Sequence, residues 1–157
     1  MVGLTISGDI IYGIGTDNRV YMQVLSRMST SSPWTVVSKG RKVLSIAISG
    51  DVVYGVGVDN IVSKQFLHAM STWGSWDRAS GGCAVSIAIK EDTIYVVGTD
   101  KKVYSQRLTA MTTLSKWTAA AAPAVVGIAI AGDTIYAIGT DKRIHRQTLS
   151  MMTVSSD

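Results

Sequence analysis

The chain is poor in the residues that usually carry covalent or acid–base chemistry. Among 157 residues there are one cysteine, two histidines, two prolines and one phenylalanine. A single thiol, Cys83, excludes an intrachain disulfide. Catalysis needs a base held near a nucleophile or a metal, yet His68 and His145 share no recurring position. No His, Cys and carboxylate residues stand at metal-ligand spacing. The expectation is therefore no catalytic residue, no metal and no cofactor. No apolar run is long enough to cross a bilayer, which argues against membrane insertion. The opening "MVGLTISGD" lacks the basic and apolar regions of a secretory signal. An intracellular protein, or a mature extracellular form, is the expectation. Charge is also sparse, at 17% of residues with a net +4. The basic residues are scattered, so a dedicated nucleic-acid surface is not expected. Hydrophobic residues reach 46%, far too many for a disordered polymer.

What the chain has is repetition. "GDIIYGIGTD" starts at Gly8, "GDVVYGVGVD" at Gly50, "EDTIYVVGTD" at Glu91 and "GDTIYAIGTD" at Gly132, at steps of 42, 41 and 41 residues. Trp34, Trp76 and Trp117 keep the same steps. The units run approximately over 1–42, 43–83, 84–124 and 125–157, in a single repeat domain spanning 1–157.

Each unit reads as short strands rich in Ile, Val, Tyr and Thr, divided by Gly, Asp and Asn turns. No 3.6-residue period persists, so helix should be nearly absent. The run Ala119–Ala122 falls where other units have a strand end and turn, and reads as strand and loop. Four antiparallel strands in about 41 residues is the size of a β-propeller blade. In "TIYAIGT", Ile135 and Ala137 face one way and Tyr136 and Ile138 the other, so both faces are apolar. That fits a blade sandwiched between neighbours. The small residues of "SIAI" and "GIAI" suit the crowded strand nearest the axis. A β-trefoil uses units of similar size but needs three, and four copies of the tyrosine segment argue against it. The fold class expected is all-β, a propeller of four blades.

A fourth tryptophan would fall at position 158, so the last blade should lack its outer strand. An open edge invites pairing with another chain. A short, tolerated fourth blade is one outcome. A homo-oligomer covering the edge is the other, with a dimer favoured.

Units running "W-T…VLSIAISGDVVYGVGVDNIVSKQ" resemble tectonin-type β-propeller repeats across essentially the whole chain. That family tends to carry more blades than four. The resemblance implies a lectin-like protein that binds glycans or lipopolysaccharide on microbial or cell surfaces, in recognition or defence.

Candidate binding residues also recur. Trp34, Trp76 and Trp117 either wedge between blades or show a ring face on which a sugar can stack. Trp73 does not recur and reads as a local surface residue. The turns Asp17-Asn18, Asp59-Asn60, Asp100-Lys101 and Asp141-Lys142 first serve turn formation. They also set a carboxylate beside an amide or cation at one rim, as sugar hydroxyls require. Gln23, Gln65, Gln106 and Gln147 read as buried amides bracing neighbouring strands. Met28, Met70, Met111 and Met152 read as core filler under a loop. Two functions compete: a lectin with repeated weak sites joined for avidity, and a self-assembling scaffold that binds no sugar.

Overall fold

The computed structural model describes residues 1–38, 40–71, 73–120 and 124–152. It contains four sheets in chain order. Blade 1 holds β1 (Gly3–Ser7), β2 (Ile10–Ile14), β3 (Val20–Val24) and β4 (Thr35–Val36). Blade 2 holds β5 (Val43–Ser49), β6 (Val52–Gly57), β7 (Val62–Phe66) and β8 (Asp77–Arg78). Blade 3 holds β9 (Ala84–Lys90), β10 (Thr93–Gly98), β11 (Val103–Arg107) and β12 (Thr118–Ala120). Blade 4 has three strands among the described residues, β13 (Val125–Ala131), β14 (Thr134–Gly139) and β15 (Ile144–Thr148). Every pairing is antiparallel, with each strand beside its sequence neighbour. The four-bladed propeller expected from the repeat is the fold observed. Of the alanine run, Ala119 and Ala120 lie in β12, and 121 and 122 fall outside the described residues.

The turn between the first two strands of each blade needs a backbone in the left-handed region. Gly8, Gly50 and Gly132 supply it at φ between 56° and 58°, and Glu91 adopts φ 51° in the one copy without glycine. The aspartate that follows does more than turn the chain. Its carbonyl accepts the Leu25, Leu67, Leu108 or Leu149 amide at 2.8–2.9 Å. Its carboxylate holds the next side chain: Asp9 binds Ser26, Asp51 meets His68 Nδ1 at 2.9 Å, Asp92 accepts from Thr109 Oγ1 at 2.7 Å and Asp133 from Ser150 Oγ at 3.0 Å. The link after the third strand, read from the sequence as a loop over its methionine, begins with a clamped one-turn 3-10 helix in every blade: Leu25–Arg27, Leu67–Ala69, Leu108–Ala110 and Leu149–Met151. His68 belongs to this clamp, in the slot that Ser and Thr fill elsewhere.

The inner strands β1, β5, β9 and β13 pack side by side in that order. They border an open cavity of about 500 Å³ that Leu4 of blade 1 and Tyr136, Ile138 and Ile144 of blade 4 also line. The core lies between blades, in three layers that repeat one recipe. One face of a blade presents its tyrosine and two aliphatics, as in Tyr12, Ile14 and Val20 of blade 1. The facing surface of the next blade presents Ile46, Val53, Leu67, Met70 and Trp76. Blades 2 and 3 meet through Tyr54, Val56 and Val62 against Ile87, Ile94, Leu108, Met111 and Trp117. Blades 3 and 4 meet through Tyr95, Val97 and Val103 against Ile128, Ile135, Leu149 and Met152. Burying one Val or Ile contributes about 1.5–3 kcal/mol, so each seam is the main source of cohesion between its two sheets. Met70, Met111 and Met152 pack in these seams as expected, whereas Met28, with no blade before it, is exposed.

Candidate functional site

The turn joining the second and third strands of each blade closes on an αL residue. Asn18, Asn60, Lys101 and Lys142 take φ of 62–68°. The preceding aspartate stabilises the turn by accepting the amide two residues on. Asp17 accepts from Arg19 at 3.1 Å, Asp59 from Ile61 at 3.2 Å, Asp100 from Lys102 at 3.1 Å and Asp141 from Arg143 at 3.0 Å. Gly15, Gly57, Gly98 and Gly139 precede this turn, and a Cβ there would collide with the same carboxylate. The first duty assigned to these aspartates is therefore the one they perform.

The turns also latch blade to blade. The carbonyls of Asn18, Asn60 and Lys101 accept the amides of Val43, Ala84 and Val125 of the next blade at 2.7, 2.9 and 2.9 Å. Asn60 adds a side-chain bond from Nδ2 to the Ala84 carbonyl at 2.9 Å.

The spare carboxylate capacity meets a tyrosine in blades 1 and 3, an arginine in blade 2 and a histidine in blade 4. Tyr21 donates to Asp17 at 2.9 Å and Tyr104 to Asp100 at 2.7 Å. His145 Nε2 approaches both oxygens of Asp141 at 3.2 Å. In blade 2, Ser63 replaces the tyrosine, and Arg41 reaches in from the preceding linker to hold Asp59 at 2.8 Å and the Ile61 carbonyl at 3.2 Å. Hydrogen bonding to the charged form lowers a carboxyl pKa. Asp17 and Asp141 are held below the usual range first by the amides of Arg19 and Arg143, and Asp100 first by the Tyr104 hydroxyl. The same bonds raise Tyr21 and Tyr104. Sequence reasoning missed Arg41 as a filler. The tyrosine was legible as a residue recurring four positions after the aspartate.

The tryptophans sit on the same face of the blade as this pair. Trp34 lies over Gly13 and Trp76 over Gly55, in space that a Cβ at either glycine would invade. All three rings are half-buried, and Trp76 and Trp117 pack into the seam with the preceding blade. With the Gln65 amide turned to satisfy both its ends, it accepts from the Trp76 indole at 3.0 Å and donates to the Ser75 carbonyl at 3.3 Å. Gln23 and Gln106 likewise donate to the carbonyls of Pro33 and Lys116 at 3.3 and 3.0 Å. The glutamines thus tie the third strand to the segment that carries the tryptophan. Trp73 is 88% exposed.

In blade 3, turn and tryptophan border an open cavity. It holds about 300 Å³ at the seam with blade 2 and is lined by Gly82, Cys83, Thr99, Asp100, Tyr104 and Trp117. Gly82 stands at the position that Arg41 occupies one repeat earlier. The Tyr104 ring takes the space over Gly98 that Arg41 takes over Gly57, and with no side chain at Gly82 the cavity beside Trp117 stays open. The structure thus brings Asp100 and Trp117 together in one groove. Asp17, Asp59 and Asp141 remain turn residues with their own intramolecular partners, Asn18, Lys101 and Lys142 act through backbone conformation, and Asn60 adds its side-chain bond to Ala84. No group of three or more His, Cys, Asp and Glu residues that could hold a metal occurs among the described residues. No described helix is long and apolar enough to cross a membrane.

No family model matches the chain, and no curated protein matches it. Among solved structures it is similar to the computationally designed Ika8 protein, with TM-score 0.58 and 13% identity over 98% of this chain and 47% of that one. It is also similar to the computationally designed Ika4 protein, with TM-score 0.56 and 9% identity over 94% of this chain and 90% of that one. The N-terminal domain of Nup159 follows, with TM-score 0.50 and 13% identity over 85% of this chain and 37% of that one. The chain thus spans about half the length of the Ika8 protein. Identities this low bear on the fold alone, and the fold they share is a propeller scaffold.

Proposed function

We propose that this chain is a tectonin-like, carbohydrate-binding propeller without catalytic activity, and that the groove of blade 3 is its principal site. The observation that carries the reading is the conjunction in that groove. A half-buried indole, Trp117, forms one wall, and the Asp100–Tyr104 pair with Thr99 forms the other. A pyranose has an apolar face that stacks on an aromatic ring and hydroxyls that need donors and acceptors at short range. Lys101 and Lys102 beside the groove favour anionic glycans or lipopolysaccharide. Blade 2 suggests the control. Gly82→Arg places a long side chain at the mouth of the groove beside Tyr104, and should lower glycan affinity at least about tenfold, with the melting temperature measured alongside to show that the fold is retained. A broad glycan array, including lipopolysaccharides, supplies the ligand and intrinsic tryptophan fluorescence the readout. Folded protein that binds nothing on the array refutes the reading.

A second reading, a scaffold that binds no sugar, is favoured by one specific observation. The Trp76 indole N–H and the four turn carboxylates are already hydrogen-bonded within the chain. Under that reading Gly82→Arg changes nothing measurable.

A further inference from the structure

The two ends of the blade series are apolar where repeat proteins normally cap with polar surface. On blade 4 the tyrosine face is uncovered. Ile138 is 50% and Ile144 76% exposed, whereas their equivalents Ile14, Val56, Val97, Val20, Val62 and Val103 are at most 1% exposed. On blade 1 the opposite face is uncovered. Leu4 is 60% exposed, whereas its equivalents Ile46 and Ile87 are buried, and Ile6 and Met28 are exposed beside it. β13 does not pack on β1 as β5 packs on β1 or β9 on β5, so the arc does not close on itself.

These two faces are the two halves of one interface that the chain makes three times internally. Blade 4 offers Tyr136, Ile138 and Ile144, the donors' side of the recipe. Blade 1 offers the exposed Leu4, Ile6 and Met28 and the half-buried Trp34, the opposite side. The polar details are halved in the same way. The Lys142 carbonyl is the fourth member of the latch series and receives no amide among the described residues. Tyr12, Tyr54 and Tyr95 lie near enough to Asp51, Asp92 and Asp133 of the following blade to feel their charge. The corresponding pair would join Tyr136 of one copy to Asp9 of another.

We infer that two copies of this chain associate head to tail, blade 4 of each on blade 1 of the other, to close a single two-fold ring of eight blades. Two copies are chosen because propellers typically hold about four to eight blades and three copies would exceed that range. A face that fits a different face must close into a ring or run on as a filament. The outer edge at β15, by contrast, presents His145, Arg146 and Gln147, polar groups of the kind that discourage edge pairing. This association does not depend on sugar binding.

Light scattering of the intact chain at micromolar concentration should give about twice the 16.7 kDa monomer mass. Ile138→Asp and Leu4→Asp, both at surface already half exposed, should each give a folded monomer by circular dichroism, with Ile144→Asp as a third variant should either unfold. Mixing Ile138→Asp with Leu4→Asp should restore dimers, because one of the two interfaces then joins two intact faces. A wild-type monomer, a larger assembly, a dimer indifferent to these substitutions, or variants that do not rescue each other would overturn the inference.

Discussion

Blades 2 and 3 are neighbours cut from one pattern, and they treat the same seam differently. In blade 2, Arg41 fills the space beside the turn aspartate, Ser63 replaces the tyrosine, and Trp76 settles over Gly55. In blade 3, Tyr104 takes that space and the aspartate, Gly82 adds no side chain, and Trp117 lines a groove with Val96. The strand register, the clamp and the latch are alike in both. A repeat can therefore hold its scaffold constant while two or three side chains decide whether a seam is sealed or able to admit a ligand.

Exchanging residues between the two blades tests that division. The largest effect is expected from Gly55→Val, which copies Val96 into blade 2. A Cβ at Gly55 would lie 2.9 Å from the Trp76 ring, so the indole must shift, at a cost of about 1–3 kcal/mol. The denaturant midpoint should fall with the slope unchanged. If stability is unaffected, the tryptophan is not seated on that glycine.

Next is Glu91→Gly, which copies Gly50 into blade 3. Glu91 is held at φ 51°, a conformation that costs a side-chain-bearing residue roughly 1 kcal/mol or more. The exposed Lys90–Glu91 ion pair at 3.0 Å contributes little against this. Glycine should raise the thermal midpoint, and a fall would show that the ion pair outweighs the backbone.

The smallest effect is expected from Tyr104→Phe, which removes the largest cause of the lowered Asp100 pKa. A depressed folded-state pKa adds stability above the unfolded value, and that stability is lost as pH falls through the folded value. The variant should therefore bring Asp100 nearer the ordinary carboxylate range and soften the acid-side loss of stability. A carboxyl carbon NMR titration reads the residue directly, and an unmoved midpoint would dismiss the hydroxyl as its partner.

Much of the scaffold could be read before any coordinates. Three glycine–aspartate turns and one glutamate–aspartate turn, both-faced apolar strands and small residues in "SIAI" and "GIAI" led to four radial sheets, because each observation constrains one strand and its immediate neighbours. The candidate site was legible only in part. The aspartates, tryptophans and Tyr104 recur and could be listed from the repeat. That Trp117 borders Asp100, and that Gly82 leaves the space between blades vacant, depends on a residue whose importance is the absence of a side chain. The clamp from Asp9, Asp51, Asp92 and Asp133 was missed for a related reason: its partners Ser26, His68, Thr109 and Ser150 lie 17 residues away and vary in type.

The amino-acid sequence alone determined the repeat length, the strand order, the turn chemistry and the number of blades, since these follow from periodicity and local backbone preference. The tertiary structure alone decided which seams are sealed, which groove stands open and which two faces are left apolar at the ends. Those properties belong to contacts between blades, and a contact exists only once separate segments of chain have been brought to the same place.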